Sequence, residues 1–130
     1  MDLTLVLLKL VQQFPDKMWY VLAHDDTYIS LPSLLCELAA NDPSKAYYVG
    51  STHCRGKNVS CRGGGIKFDP QSFSSKVYGG WNNGGAGVVI SKGLAMKMLS
   101  EGNSCLKHYS NIWKASDGAD VLLGCCVLDT

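Results

Sequence analysis

The apolar residues of this chain recur first at helical spacing and then in short continuous runs. Residues 3–14 predict an amphipathic helix. Residues 18–23 form an apolar run that predicts a buried strand, and residues 31–40 return to helical spacing. The positions expected to face the core are Leu3, Val6, Leu7, Leu10, Val11 and Phe14 in the first helix and Leu31, Leu34, Leu35 and Leu38 in the second.

The second half continues this alternation after a long interruption. Residues 46–51 and Val88-Val89-Ile90 predict strands. Ser91 is expected to cap a helix that runs to about residue 100 and ends at Gly102. Helices that follow strands in this way indicate an α/β fold.

Three stretches complete the pattern. Residues 52–83 hold Gly63-Gly64-Gly65, several basic residues and little periodicity, which predicts a long glycine-rich loop. Residues 103–115 are also expected to be irregular, with Trp113 an anchor or a sugar-stacking ring. A last helix is predicted from Ser116 or Asp117 onward.

Composition narrows the class of protein. The 130 residues suffice for one domain or part of a larger one, and 46% hydrophobic with 18% charged residues is typical of a folded chain. A net charge of +1 gives no basic field, so nucleic acid is not an expected partner. No apolar run approaches the ~18 residues of a membrane span.

The six cysteines favour an oxidising compartment. They contain no Cys-x-x-Cys pair, which argues against a zinc site. Asn58-Val59-Ser60, between Cys54 and Cys61, is a glycosylation acceptor sequence and agrees with a surface loop in the secretory pathway. A Cys54–Cys61 disulfide would close that loop into a small ring.

Two adjacent carboxylates, Asp25 and Asp26, follow the first predicted strand directly. Ligands of open α/β sheets bind where strands end, and one or two carboxylates together with a diphosphate hold Mg²⁺ or Mn²⁺. The alternative is that both residues only form a turn or cap the next helix.

The sequence Gly84-Gly85-Ala86-Gly87 precedes its strand, so it is not a Rossmann-type nucleotide fingerprint. Two interpretations remain open, close backbone approach to a ligand and a tight bend against the sheet. Asp120 belongs to the first turn of the last predicted helix, where the helix dipole alone already favours an acid.

Taken in order, these stretches resemble the Fringe-like β1,3-glycosyltransferases of glycosyltransferase family 31. The resemblance covers residues 17–130 and rests on four blocks. These are Trp19-Tyr20-Val21-Leu22-Ala23-His24-Asp25-Asp26-Thr27-Tyr28, then Asp42-Pro43-Ser44-Lys45 with Tyr47-Tyr48-Val49-Gly50-Ser51, then Gly84 to Ser91, and last Asp120-Val121-Leu122-Leu123-Gly124-Cys125-Cys126.

The resemblance implies part of a GT-A type fold, with a mixed sheet flanked by helices in a single partial domain over residues 1–130. It also implies inverting transfer from a UDP-sugar to a hydroxyl of an acceptor glycan or glycoprotein, in the Golgi or ER lumen. Asp26 would bind Mn²⁺ and Asp25 would support the metal or donor. Gly84 and Gly85 would lie beside donor and acceptor, and Asp120 would be the catalytic base.

By the same family pattern, Cys105 and Cys126 form a disulfide, which leaves Cys36 and Cys125 free or buried. Two positions depart from the pattern: His24 replaces a carboxylate, and Ala119 replaces the first acid of the last helix, for which Asp117 is a substitute only if the turn is remodelled.

The family's membrane anchor, nucleotide-binding half and metal-binding histidine are also expected to be missing from this chain. The alternatives are therefore an inactive fragment or homologue that binds a glycan or a partner, and an unrelated disulfide-stabilised binding domain.

Overall fold

The computed structural model describes residues 3–53, 81–82, 84–109 and 119–130. The helices are α1 (Leu3–Gln13), α2 (Leu31–Ala39), α3 (Lys92–Tyr109) and α4 (Ala119–Asp129). The strands are β1 (Trp19–Leu22), β2 (Tyr48–Gly50), β3 (Thr52–His53), β4 (Trp81–Asn82) and β5 (Val88–Ser91), with a 3-10 helix at Gly84–Ala86.

The main sheet has the order β1-β5-β2, with β5 in the centre and antiparallel to both neighbours. Tyr20 and Tyr48 pair with Ile90 from its two sides. Because β1 and β2 are both antiparallel to β5, their C-terminal ends lie at the same end of the sheet, where β5 begins. The α/β class expected from the sequence is confirmed.

The inner face of this sheet and three helices form the core. Successive strand residues point to opposite faces, and the inner residues Tyr20, Leu22, Tyr48, Val88 and Ile90 are all buried. Helices α1 and α3 pack on this face, and α4 packs against both helices and against β4. The Tyr20 hydroxyl donates to the carbonyl oxygen of Phe14 at 2.8 Å, and burial, with a smaller effect of nearby Asp16, raises the Tyr20 pKa.

The outer face is less covered than the sequence predicted. The predicted strand is shorter than residues 18–23 and is buried on one face only, since Met18 is 55% and Val21 39% exposed. In α2, Leu38 is buried and Leu34 half-buried, but Leu31 and Leu35 are each 63% exposed. The prediction of a four-leucine core face was wrong, because α2 turns only one narrow stripe inward.

The first helix matches its prediction better: Leu3, Leu7 and Val11 are buried, and Val6 and Leu10 pack against the core. Phe14, the last residue of the predicted stripe, is 44% exposed because α1 ends before it.

Helix α3 is longer than the sequence predicted. It continues through Gly102 to Tyr109, so the first part of the stretch expected to be irregular is helical. Cys105 of α3 forms a disulfide with Cys126 of α4, with a Cα–Cα distance of 5.6 Å, as the family resemblance implied. Cys36 is free and exposed, and Cys125 is buried, so both agree with the expectation that these two residues are free or buried. Cys125 is in addition disulfide-bonded, which the sequence did not predict.

The two ends of the predicted loop over residues 52–83 are strands rather than loop, because β3 and β4 pair with each other in antiparallel orientation. The Cys54–Cys61 disulfide, the Asn58 sequon, Asp117 and Trp113 lie outside the described residues.

One end of the main sheet is closed by a compact corner, which we call the capped corner (residues 42–47 and 91–93). The buried Ser91 hydroxyl donates to the carbonyl oxygen of Lys45 at 2.6 Å and accepts the N–H groups of Tyr47 (2.9 Å) and Leu94 (3.3 Å). It therefore caps α3, as predicted. A Cβ at Gly93 would overlap the Ser44 carbonyl oxygen.

Candidate active site

The two adjacent carboxylates lie in a turn at the opposite end of the sheet. Asp25 and Asp26 are the central residues of a turn closed by the N–H of Thr27, which donates to the carbonyl oxygen of His24 at 3.2 Å. Both aspartates are exposed. The two residues therefore form a turn and do not cap the next helix, because Ser30 is the N-cap residue of α2. Ligand binding by this turn stays a prediction.

The glycine segment (residues 84–87) lies beside this turn. Leu22, the last residue of β1, pairs with Val88, the first residue of β5, so the chain leaving β1 meets the chain entering β5. The Thr27 hydroxyl donates to the carbonyl oxygen of Gly85 at 2.9 Å. We call the turn (residues 24–27) and the glycine segment together the sheet mouth.

The glycines of this segment are not equivalent. Gly87 has a φ of +82°, a left-handed conformation that favours glycine. A Cβ there would lie 3.6 Å from both the Leu22 carbonyl oxygen and Cγ2 of Thr27, which is ordinary contact. Gly87 is therefore glycine because of a tight bend. Ligand approach at Gly84 and Gly85 stays a prediction.

Asp120 lies in the first turn of α4 and is half-buried. Helix α4 packs against β4, which comes shortly before the glycine segment in the chain. The preceding residue, Ala119, packs partly buried against the core. Ala119, which stands where the family has an acid, thus has an apolar side chain in apolar surroundings.

A groove that the sequence analysis did not predict adjoins the sheet mouth on the outer face of the main sheet. Its volume is about 340 Å³, within the range of about 300–1,000 Å³ typical of small-molecule pockets. Val21, Val49 and Val89 form its floor, and they are in register across the three strands. Its remaining lining residues are Tyr28, Ile29, Ser30, Ser33, Leu34, Gly50, Ser51, Ala86 and Gly87.

The sequence carried one signal for this groove. Val21 and Val49 alternate with the inward residues of their strands, so one apolar residue of each strand must face away from the helical layer. A sheet covered on only one face leaves such residues available to another element or to a ligand.

A scan against models of protein families matches the Fringe-like family over residues 6–130. This chain belongs to the Fringe-like family. No curated protein and no solved structure is significantly similar to it. The family consists of glycosyltransferases of the secretory pathway, so membership indicates a glycosyltransferase domain with a sugar donor and a glycan acceptor.

The side chains of the acidic turn do not form a complete metal site by themselves. Within the described ranges, His, Cys, Asp and Glu side chains nowhere gather in threes that could hold an ion. The turn offers the carboxylates of Asp25 and Asp26, and Mg²⁺ or Mn²⁺ commonly binds through one or two carboxylates plus substrate phosphates. His24 adds an imidazole, which suits these ions less well than oxygen.

Among the helices that the structure describes, none combines the length and apolar character needed to cross a bilayer.

Proposed function

We propose that this Fringe-like domain is an inverting β1,3-glycosyltransferase that transfers a sugar from a UDP-sugar to a hydroxyl of an acceptor glycan or glycoprotein. The observation that carries the proposal is the contact between the acidic turn and the glycine segment, made by the Thr27 hydroxyl at 2.9 Å from the Gly85 carbonyl oxygen. It joins two of the family's blocks at the edge where β1 and β2 end, the place where α/β sheets bind ligands.

Asp26, supported by Asp25, would hold Mn²⁺ together with the donor diphosphate, and Gly84 and Gly85 would lie beside the donor. When bound there, the ion would neutralise the negative charge that develops on the departing diphosphate. The exposure of both carboxylates supports this role, because they are accessible to a ligand from solvent.

Asp120 would be the general base. The oxygen of the acceptor hydroxyl attacks the anomeric carbon while the bond from that carbon to the diphosphate oxygen breaks. Asp120 takes the hydroxyl proton, and the diphosphate leaves with the electron pair. One base on the face opposite the leaving group is sufficient for single displacement with inversion.

Calorimetric titration of UDP into the oxidised protein, with and without Mn²⁺, tests the donor site. We expect Mn²⁺ to increase the affinity for UDP and this gain to be lost in Asp26→Ala. The control Asp16→Ala, which removes an exposed carboxylate in the stretch after α1, should keep the gain of the wild type. Absence of Mn²⁺-dependent UDP binding in the wild type would overturn the proposal.

Sugar transfer tests the base separately. Asp120→Asn keeps the shape of the side chain but removes its basicity, so we expect transfer to fall at least about 100-fold while UDP binding is unchanged. Equal transfer by wild type and variant would exclude Asp120 as the base.

A second candidate is a non-catalytic Fringe-like domain that binds a glycan or a partner. It is favoured by Ala119, which is packed against the core where the family has an acid. Glycan binding in the absence of UDP, combined with no transfer, is the result that would select this candidate.

We place the protein in the Golgi or ER lumen. Two cysteine pairings support this, since Cys105 is bonded to Cys126 and Cys125 is itself disulfide-bonded. Expression in secretory cells should give a product whose electrophoretic mobility changes on removal of N-glycans, and Asn58→Gln should abolish that change. A product that carries no glycan and has only reduced cysteines would contradict the assignment.

A further inference from the structure

The Thr27 hydroxyl makes two hydrogen bonds whose directions are fixed by their partners. It accepts the backbone N–H of His24 at 3.1 Å and donates to the carbonyl oxygen of Gly85 at 2.9 Å. An N–H can only donate and a carbonyl can only accept, so the single hydroxyl proton must point to Gly85. The hydroxyl therefore links two segments that lie 58 residues apart in the chain.

The two bonds hold the part of the chain that carries both carboxylates. Asp25 and Asp26 lie between His24 and Thr27, and the Thr27 N–H closes the same turn on the His24 carbonyl oxygen. The Thr27 hydroxyl thus holds the first residue of the turn, His24, and connects the last residue, Thr27, to the glycine segment.

We propose that Thr27 is a positioning residue, whose hydroxyl sets the location of the Asp25–Asp26 turn relative to the glycine segment. This inference rests on the proposed function, because it assigns a role to the turn in metal-dependent donor binding. Groups that orient metal ligands from outside the coordination shell typically change metal affinity or activity about 10–100-fold when they are removed.

The side chain also offers a separable apolar contact. Cγ2 of Thr27 lies 3.6 Å from the place where a Cβ on Gly87 would be, so its methyl group faces the bend before β5. Thr27→Val keeps a methyl group there and removes the hydroxyl. Thr27→Ser keeps the hydroxyl and removes the methyl group. The two variants therefore separate the hydrogen bonds from the packing.

The first measurement is amide hydrogen exchange by NMR, which does not require any activity. We expect the His24 amide to exchange at least about fivefold faster in Thr27→Val than in the wild type, with Thr27→Ser close to the wild type. Ser100→Ala is the matched control, because it removes a hydroxyl that donates to the Lys97 carbonyl oxygen at 2.7 Å on the exposed side of α3. Unchanged exchange at His24 in Thr27→Val would overturn the inference.

The second measurement is UDP affinity with and without Mn²⁺ in the same four proteins. We expect the Mn²⁺-dependent gain in affinity to fall about tenfold in Thr27→Val and to be kept in Thr27→Ser and Ser100→Ala. UDP affinity without Mn²⁺ and the melting temperature should change little, which a purely structural role of Thr27 would not predict.

The outcomes separate the two proposals. A wild type that gains no affinity from Mn²⁺ overturns the proposed function and the positioning role with it, although the exchange data still report the hydrogen bond. A wild type that gains affinity and a Thr27→Val that gains as much overturn the positioning role alone.

Discussion

The two ends of β5 use the same kinds of residue for different purposes. At the capped corner, Ser91 is fully buried and its hydroxyl contacts three backbone groups of other segments and of α3. At the sheet mouth, Thr27 is half-buried and Asp25 and Asp26 are exposed. A buried hydroxyl therefore stabilises the fold at one end, and exposed carboxylates remain accessible for chemistry at the other.

This difference separates the motifs of the family into two groups. Asp42-Pro43-Ser44-Lys45 and Ser91 together build a corner, in which the Asp42 carboxylate accepts the N–H (2.9 Å) and the hydroxyl (2.7 Å) of Ser44. Asp25, Asp26 and the glycine segment build an open edge. We expect variants of the first group to lose stability and variants of the second to lose ligand binding.

The largest expected effect is that of Gly93→Ala at the capped corner. The new Cβ would overlap the Ser44 carbonyl oxygen and lie 2.9 Å from that of Lys45, and these backbone atoms cannot rotate away. We expect the free energy of unfolding to fall by about 3 kcal/mol in urea titration. Gly87→Ala at the sheet mouth, which meets only ordinary contacts, should lose about 1 kcal/mol through its positive φ. Equal losses would contradict the comparison.

Ser91→Ala should have the next largest effect. It leaves the N–H of Tyr47 and the carbonyl oxygen of Lys45 without the buried hydroxyl that now satisfies them. We expect a loss of about 2 kcal/mol, measured in the same way. Ser44→Ala, whose hydroxyl bonds to an exposed carboxylate, is the control and should lose clearly less.

A smaller effect is expected from pH. The hydroxyl and N–H of Ser44 lower the Asp42 pKa below its ordinary value of 3.8. The ionised Asp42 carboxylate therefore contributes to stability above pH 3.8, and this contribution is lost as the pH falls through its lower folded-state pKa. The difference in melting temperature between wild type and Ser44→Ala should thus shrink as the pH is lowered below that range. A difference that grows on acidification would contradict the sign.

The smallest effect on stability is expected at the sheet mouth. Asp25→Asn and Asp26→Asn remove exposed charges that neighbour each other in the turn, so the free energy of unfolding should change by no more than about 0.5 kcal/mol. A loss as large as that of Ser91→Ala would show that the turn contributes to stability as the capped corner does.

Local pattern was sufficient for most elements. The apolar stripe of α1, the strand before Asp25 and the first-turn position of Asp120 follow from spacing and turn residues, and the structure agrees. Helix α3 was underestimated, because Gly102 costs a helix only about 1 kcal/mol and packing against α1 and α4 outweighs that cost.

Contacts between segments that are distant in the chain could not be predicted from the sequence. Ser91 was predicted as a helix cap, but its bonds to Lys45 and Tyr47 span 46 and 44 residues. The bond from Thr27 to Gly85 is of the same kind. Likewise, spacing marked Leu31 and Leu35 as core positions of α2 but did not reveal that both side chains stay exposed.

The cysteines of α4 have a consequence for the orientation of its first turn. Cys125 and Cys126 are both disulfide-bonded, and consecutive residues of an α-helix project about 100° apart around its axis. The Cys126 bond fastens α4 covalently to Cys105 of α3, and the Cys125 bond leaves the helix at a different angle. The orientation of Asp120, which lies more than one turn before these cysteines in α4, is thus constrained by the covalent bond between α4 and α3.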